Sequence, residues 1–134
     1  MNEELGFEVK LDLPYEQAVE KVVAALKVEG FGVLTRIDVR ATLKEKLGEE
    51  FRPYVILGAC NPPLAHRALS SDGAVGLMLP CNVTVEAQPD SGSLVRIVNP
   101  LTMMTTGNLG NNPTLVEVAQ LAYAKLERVT QALR

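Results

Sequence analysis

The sequence predicts an α+β domain, a largely antiparallel sheet with helices packed on it. Three observations carry this. Short segments alternate apolar and polar residues with the period of two that a half-buried strand shows. Between them lie segments whose apolar residues recur every three or four positions, the spacing of an amphipathic helix. Finally, Pro89-Asp90-Ser91-Gly92 is a hairpin turn signal between two of the alternating segments, which makes part of the sheet antiparallel.

The first strand spans residues 5–13, where Phe7, Val9, Leu11 and Leu13 point one way and Glu8, Lys10 and Asp12 the other. Pro14 opens a helix at a position where its missing N–H does no harm. Ala18, Val19, Val22, Val23 and Leu26 form that helix's stripe, and Gly30 ends it. Phe31 to Ile37 reads as a second strand. Asp38 caps a short helix whose Leu43 and Leu47 are expected to face inward, with Gly48 as its stop. Tyr54 to Cys60 is apolar on both faces and is expected to be a central strand covered on each side. Asn61 then caps a helix with Pro62 at its first position and Leu64, Ala65, Ala68 and Leu69 as its stripe. Gly76 to Gln88 is expected to be one long strand interrupted at Pro80, with Cys81, Val83, Val85 and Ala87 on one face and Asn82, Thr84 and Glu86 on the other. Leu94 to Asn99 pairs back on it. A last helix starts at Pro113 or Thr114, where Leu115, Val118, Ala122, Leu126, Val129 and Leu133 step by three or four residues.

The 134 residues fit a single domain, 1–134, with no linker and no internal repeat. With 47% hydrophobic residues and a net charge of −3, the chain is not a disordered one. At 4% aromatic and without Trp, its core must be aliphatic. The acidic balance and the interleaving of bases with acids, as in Lys44-Glu45-Lys46, argue against nucleic acid as a partner. No apolar run reaches 18 residues, so no membrane span is expected. The acidic stretch from Met1 to Leu5 does not resemble a signal peptide, and two cysteines make no disulfide framework; a cytoplasmic protein with reduced thiols is expected. For the same reason the glycosylation acceptor Asn82-Val83-Thr84 carries no weight.

Charge is distributed unevenly. Residues 53–116 carry only Arg67, Asp72, Glu86, Asp90 and Arg96, and Ile97 to Val116 carry none. An uncharged but polar region suits an interface or a neutral-ligand pocket, where desolvating charges would be costly, and equally suits a central strand set with one neutral loop. Within it lies a repeated dipeptide, Cys60-Asn61 and Cys81-Asn82. A cysteine just before a helix N-terminus meets the partial positive charge there, which favours the thiolate as a nucleophile or metal ligand. Against this, free cysteine also packs as a small buried hydrophobe. Cys60, the single histidine His66 and Cys81 together offer zinc or copper two sulfurs and a nitrogen, with Met78, Met103 and Met104 as further soft donors, although the spacing matches no standard zinc module and His66 equally faces solvent. The segment from Thr105 to Thr114 resembles an anion cradle before a helix, but it fits no phosphate-loop pattern and has no Lys.

Gly58-Ala59-Cys60-Asn61-Pro62, Leu64-Ala65, Ala68-Leu69 and Leu79-Pro80-Cys81-Asn82-Val83, with the N-terminal strand and helix ending in Gly30-Phe31-Gly32-Val33, resemble the core of a bacterial and archaeal family, domain of unknown function 302. The likeness covers nearly the whole chain. It implies a curved antiparallel sheet with helices on one side, a layout related to the TATA-binding-protein class but without its DNA binding, and it implies a homodimer. The family's recurring polar residues map onto Cys60, Asn61, Cys81 and Asn82. The expectation is a cytoplasmic homodimeric domain binding a metal ion or a small ligand at Cys60, Asn61, Cys81 and Asn82. A thiol-dependent enzyme of sulfur or redox chemistry and an interaction module without ligand are the alternatives.

Overall fold

A computed structural model describes residues 1–134. Five antiparallel strands form one open sheet: β1 (Gly6–Leu11), β2 (Gly32–Asp38), β3 (Tyr54–Cys60), β4 (Cys81–Ala87) and β5 (Ser93–Val98), in the order β1-β5-β4-β3-β2. Its helices are α1 (Tyr15–Val28), α2 (Val39–Leu47), α3 (Pro62–Ser71), the single turn α4 (Pro100–Met103) and α5 (Pro113–Leu133). The α+β class is as expected. β1 and β2 lie at opposite edges, so α1 connects them across the full width of the sheet.

Strand alternation builds the core. Val9, Leu11, Leu57, Ala59, Val83, Val85, Val95 and Ile97 turn to the helical side and are buried together with Leu26 of α1 and Leu115, Leu126 and Val129 of α5. The expected stripe of α5 is buried from Leu115 to Leu133, and α1 buries Ala18, Val19, Val22 and Leu26. Two caps, Asp38 and Asn61, are the anticipated ones, and Asn112 adds a third. Ala41 N–H donates to Asp38 Oδ1 (2.9 Å), Leu64 N–H to Asn61 Oδ1 (3.3 Å), and Thr114 N–H to Asn112 Oδ1 (2.9 Å). Gly30 (φ +83°) ends α1 in the left-handed region, where its N–H reaches Lys27 O and the Phe31 N–H reaches Leu26 O.

Three expectations give way. Gly73–Met78 is a 3₁₀ helix, so β4 begins only at Cys81. Asp72 Oδ1 accepts the Ala74 N–H and caps that helix, two glycines weaken the extended alternative, and Pro80 cannot donate to a ladder. The segment does not present one face as a half-buried strand would, since Val75 is buried while Leu77, two positions on, is 84% exposed. Helix α2 buries no residue, and Leu47 is 67% exposed. It links the edge strand β2 to β3 and packs chiefly on those two strands, away from the core between sheet and helices. Finally, β3 lies under helices on one face only. On the other, Tyr54, Ile56 and Cys60 are half-buried, and Gly58 is covered by side chains. A Cβ at Gly58 would strike Thr35 Oγ1 and lie 2.8 Å from Pro80 Cγ. Gly58→Ala is therefore expected to cost about 1–3 kcal/mol as an overpacking change, and chemical denaturation should show part of it recovered in a Gly58→Ala/Thr35→Ala pair.

Candidate functional site

The two Cys-Asn dipeptides meet where β3 ends and β4 begins. Ala59 pairs with Cys81 across the ladder, and Cys60, one position further on and paired with Gly32, alternates to the other face. Cys81 points to the helical side with Val83 and is buried, whereas Cys60, at the strand end, is half-buried. Both line a cavity of about 380 Å³ bounded by the ends of β3 and β4, α3, the 3₁₀ helix and α5. Phe31, Leu64, Met104 and Val118 form most of its wall, and the exposed Leu34 (68%) and Leu69 stand among its lining residues. No charged side chain lines it. A volume of this size and so apolar a lining suit a small-molecule pocket.

Of the five residues expected here, Cys60, Asn61 and Cys81 line the same cavity. Asn61 is spent on the fold: its Oδ1 caps α3, and its Nδ2 donates to Glu29 O (3.4 Å), stitching the start of α3 to the end of α1. Asn82 lies on the opposite face of the sheet, exposed, because neighbouring strand residues point to opposite sides. His66 is on the outer side of α3, facing a shallow polar depression with Arg67, Ser70, Ser71 and Thr114. The expected Cys60, His66, Cys81 ligand set is thus not assembled, and no group of three or more His, Cys, Asp or Glu is arranged to hold a metal ion.

The helix-terminus effect on Cys60 is not realised either. Pro62 and Pro63 have no N–H, and the next donor, Leu64 N–H, is already taken by Asn61. Burial then dominates. It raises the Cys60 thiol, and it pushes Cys81 up to about 12, with the charge of a Cys60 thiolate adding to the shift. Both groups are neutral thiols at pH 7. In an alkylation time course followed by mass spectrometry, Cys60 is expected to react slowly and Cys81 only on unfolding; rapid modification of either in the folded protein would contradict this. The sign of the pH effect follows. Because the folded-state value of Cys81 lies above its ordinary 9.0, its contribution to stability is complete below about pH 9 and declines as pH rises towards 12. A Cys81→Ala variant should lose less stability over that alkaline window, as urea midpoints would register.

A second constellation occupies the open face of the sheet. Glu86 is 3% exposed although it sits on that face, because two arginines cover it. Arg52 Nε and Nη2 donate to its Oε2 (3.1 and 3.0 Å), and Arg96 Nη1 donates to its Oε1 (3.1 Å). Arg96 Nε also donates to Glu8 Oε2 (3.0 Å), and Arg52 stacks over Phe51, 4.5 Å from the ring centroid. In the sequence Glu86 stands on a strand face with Asn82 and Thr84, and Arg96 is one of the rare charges of the neutral region; nothing there pairs the two. The hairpin register, which sets Thr84 opposite Arg96 and Glu86 opposite Leu94, was the signal that joins them.

The comparisons with known proteins fit this architecture. A family model described as "Domain of unknown function DUF302" matches residues 7–133, so the chain belongs to that family. It is similar to the crystal structure of an uncharacterized conserved DUF302 protein from Bacillus stearothermophilus, at 30% identity and a TM-score of 0.83, covering 97% of this chain and 98% of that one. A search of curated proteins returns no match. No helix is long and apolar enough to cross a membrane.

Proposed function

We propose that this chain is a small-ligand-binding domain whose site is the cavity at Cys60 and Cys81, and that its occupant carries no net charge where it is buried. The observation that carries this is the lining: a preformed cavity of about 380 Å³ without a single charged side chain, in which burying an ion unpaired would be costly. Two raised thiol pKa values favour binding over nucleophilic catalysis, and two unpaired cysteines fit a reducing compartment such as the cytoplasm. The probe is a set of small aromatic fragments of indole size, followed by ligand-observed NMR. Saturable binding is expected, and it should be lost in Ala65→Trp, which places bulk on the cavity wall from a half-exposed position of α3. Because the chain has no Trp, the introduced indole also reports the folded state by fluorescence. No saturable binding, or binding unchanged by the substitution, would overturn the proposal.

We also propose that two copies associate through β2. This strand is an unpaired edge, almost wholly exposed, with Leu34 and Ile37 open to solvent. Such an edge invites pairing with another strand, and two-fold symmetry closes the pairing as a dimer. Sedimentation velocity should show a dimer that Leu34→Lys converts to monomer; a wild type that stays monomeric at high protein concentration contradicts it.

A further inference from the structure

We infer that the open face of the sheet carries a second site, independent of the cavity, in which Asn82, Thr84, Arg96 and Tyr54 bind the uncharged amide group of a small molecule. Strand register brings the four together. Asn82 and Thr84 are two residues apart on β4 and so share a face. Thr84 lies opposite Arg96 of β5, and Tyr54 of β3 lies opposite Glu86, the next residue of β4 on that face. These four side chains line one recess of about 180 Å³, with Leu5 and Val98 as apolar wall. The wall is fixed: Asn99 donates to Leu5 O through its backbone N–H (3.0 Å) and to Glu3 O through Nδ2 (2.9 Å). A recess below the roughly 300 Å³ at which drug-sized pockets begin takes a small occupant.

One atom points to an occupant. Thr84 Oγ1 is the one buried side-chain oxygen or nitrogen in the protein without a hydrogen-bond partner. Such an atom keeps an uncompensated desolvation cost, which valine at this position would remove. A χ1 rotation exchanges the hydroxyl with its methyl group and turns it to the recess. Around it, further hydrogen-bonding groups remain free. Asn82 is exposed, and its amide offers both donors and an acceptor. Arg96 is held in place by Glu8 through Nε and by Glu86 through Nη1, and neither bond uses its Nη2. Those carboxylates also decide the charge of the ligand. Arg52 shares Glu86, so two cations and two anions cancel across this face, and an added anion gains little there. A neutral amide matches the groups present. Its carbonyl accepts from Arg96 and Thr84, its N–H donates to Asn82 Oδ1, and an apolar substituent rests on Leu5 and Val98.

The test uses the full chain, isobutyramide as the probe and isobutyrate as its charged isostere. Binding is followed in proton–nitrogen correlation spectra through the signals of β4 and β5, the Asn82 side-chain amide included. Isobutyramide is expected to shift them saturably, and isobutyrate to bind more weakly. Asn82→Ala, at an exposed position, and Thr84→Val, which keeps the side-chain shape, should each weaken isobutyramide by roughly 2–10-fold, the worth of one hydrogen bond. Thr84→Val should at the same time raise the urea midpoint, because it removes the unpaired hydroxyl. His66→Ala, on the outer side of α3, should leave binding unchanged. No saturable shift, tighter binding of isobutyrate, or an affinity unchanged in both Asn82→Ala and Thr84→Val would overturn the inference. Shifts confined to cavity residues such as Leu64 and Val118 would overturn it too while supporting the cavity reading, so the two sites fail separately.

Discussion

Phe31→Ala is expected to destabilise the chain by about 3–5 kcal/mol, the range for truncating a buried aromatic. Phe31 is the one aromatic residue fully buried, at 2% exposure; the other five rings are only half-buried. It follows the left-handed turn at Gly30, and its N–H closes the end of α1 on Leu26 O (2.9 Å). Its ring is also cavity wall, so removing it enlarges a space that already exists instead of opening one that neighbours can collapse into. A domain of ordinary stability has about 5–15 kcal/mol in total, so this single change brings it near the threshold of unfolding. Phe31→Leu, which keeps most of the volume, should cost about 1.5 kcal/mol or less. Urea denaturation of both variants decides the matter. An alanine variant within 1 kcal/mol of wild type, on the roughly 3 kcal/mol minimum expected for such truncations, would mean that the ring does not anchor the α1–β2 junction.

What could be read from the sequence followed its strongest periodicities. α5 and α1 were legible because each buries one stripe of aliphatic residues against a sheet, which is the condition that makes a 3.6-residue period visible. The caps of α2 and α3 were legible because Asp38 and Asn61 each act on a donor three residues away. The region around Gly73–Leu79 was not, because apolar residues placed two apart resemble a strand even when one of them plugs the core and the next faces water. Helix α2 failed for a different reason. Its leucines have the right spacing, yet its place beyond the helical layer is a property of the connection between β2 and β3.

The candidate site shows the same division. The charge-poor middle of the chain does supply the cavity, including Met104 from the stretch without charge. Grouping Asn82 with Cys81 conflicted with the alternation already evident in that strand, which sends consecutive residues to opposite faces. Met104 lies 23 positions beyond Cys81, and only the packing of α4 against α5 brings it to the thiols' cavity.

Arg96→Met is expected to cost about 3 kcal/mol, the lower end of the range for stripping one partner from a buried ion pair. The buried member is Glu86. Taking Arg96 away leaves its Oε1 facing only the long contact from Gln88 Nε2 (3.5 Å), while Oε2 keeps Arg52. Arg52 is half-exposed, so its pairing is screened by water and limits the loss without cancelling it. Glu8 loses its partner too, but it is open enough to be solvated. The double variant separates charge from packing. Glu86→Met added to Arg96→Met removes the stranded carboxylate along with the cation, and stability should return to within about 1 kcal/mol of wild type, since a buried pair replaced by apolar groups of similar size is often neutral. A double variant no more stable than Arg96→Met alone would show that the arginine acts through packing of its stem over β4 and not through the charge of Glu86. Sodium chloride separates the two further: screening weakens the exposed Arg96–Glu8 contact, at 3.0 Å, and leaves the buried Arg96–Glu86 contact, at 3.1 Å, largely intact, so most of the Arg96→Met loss should persist at high salt.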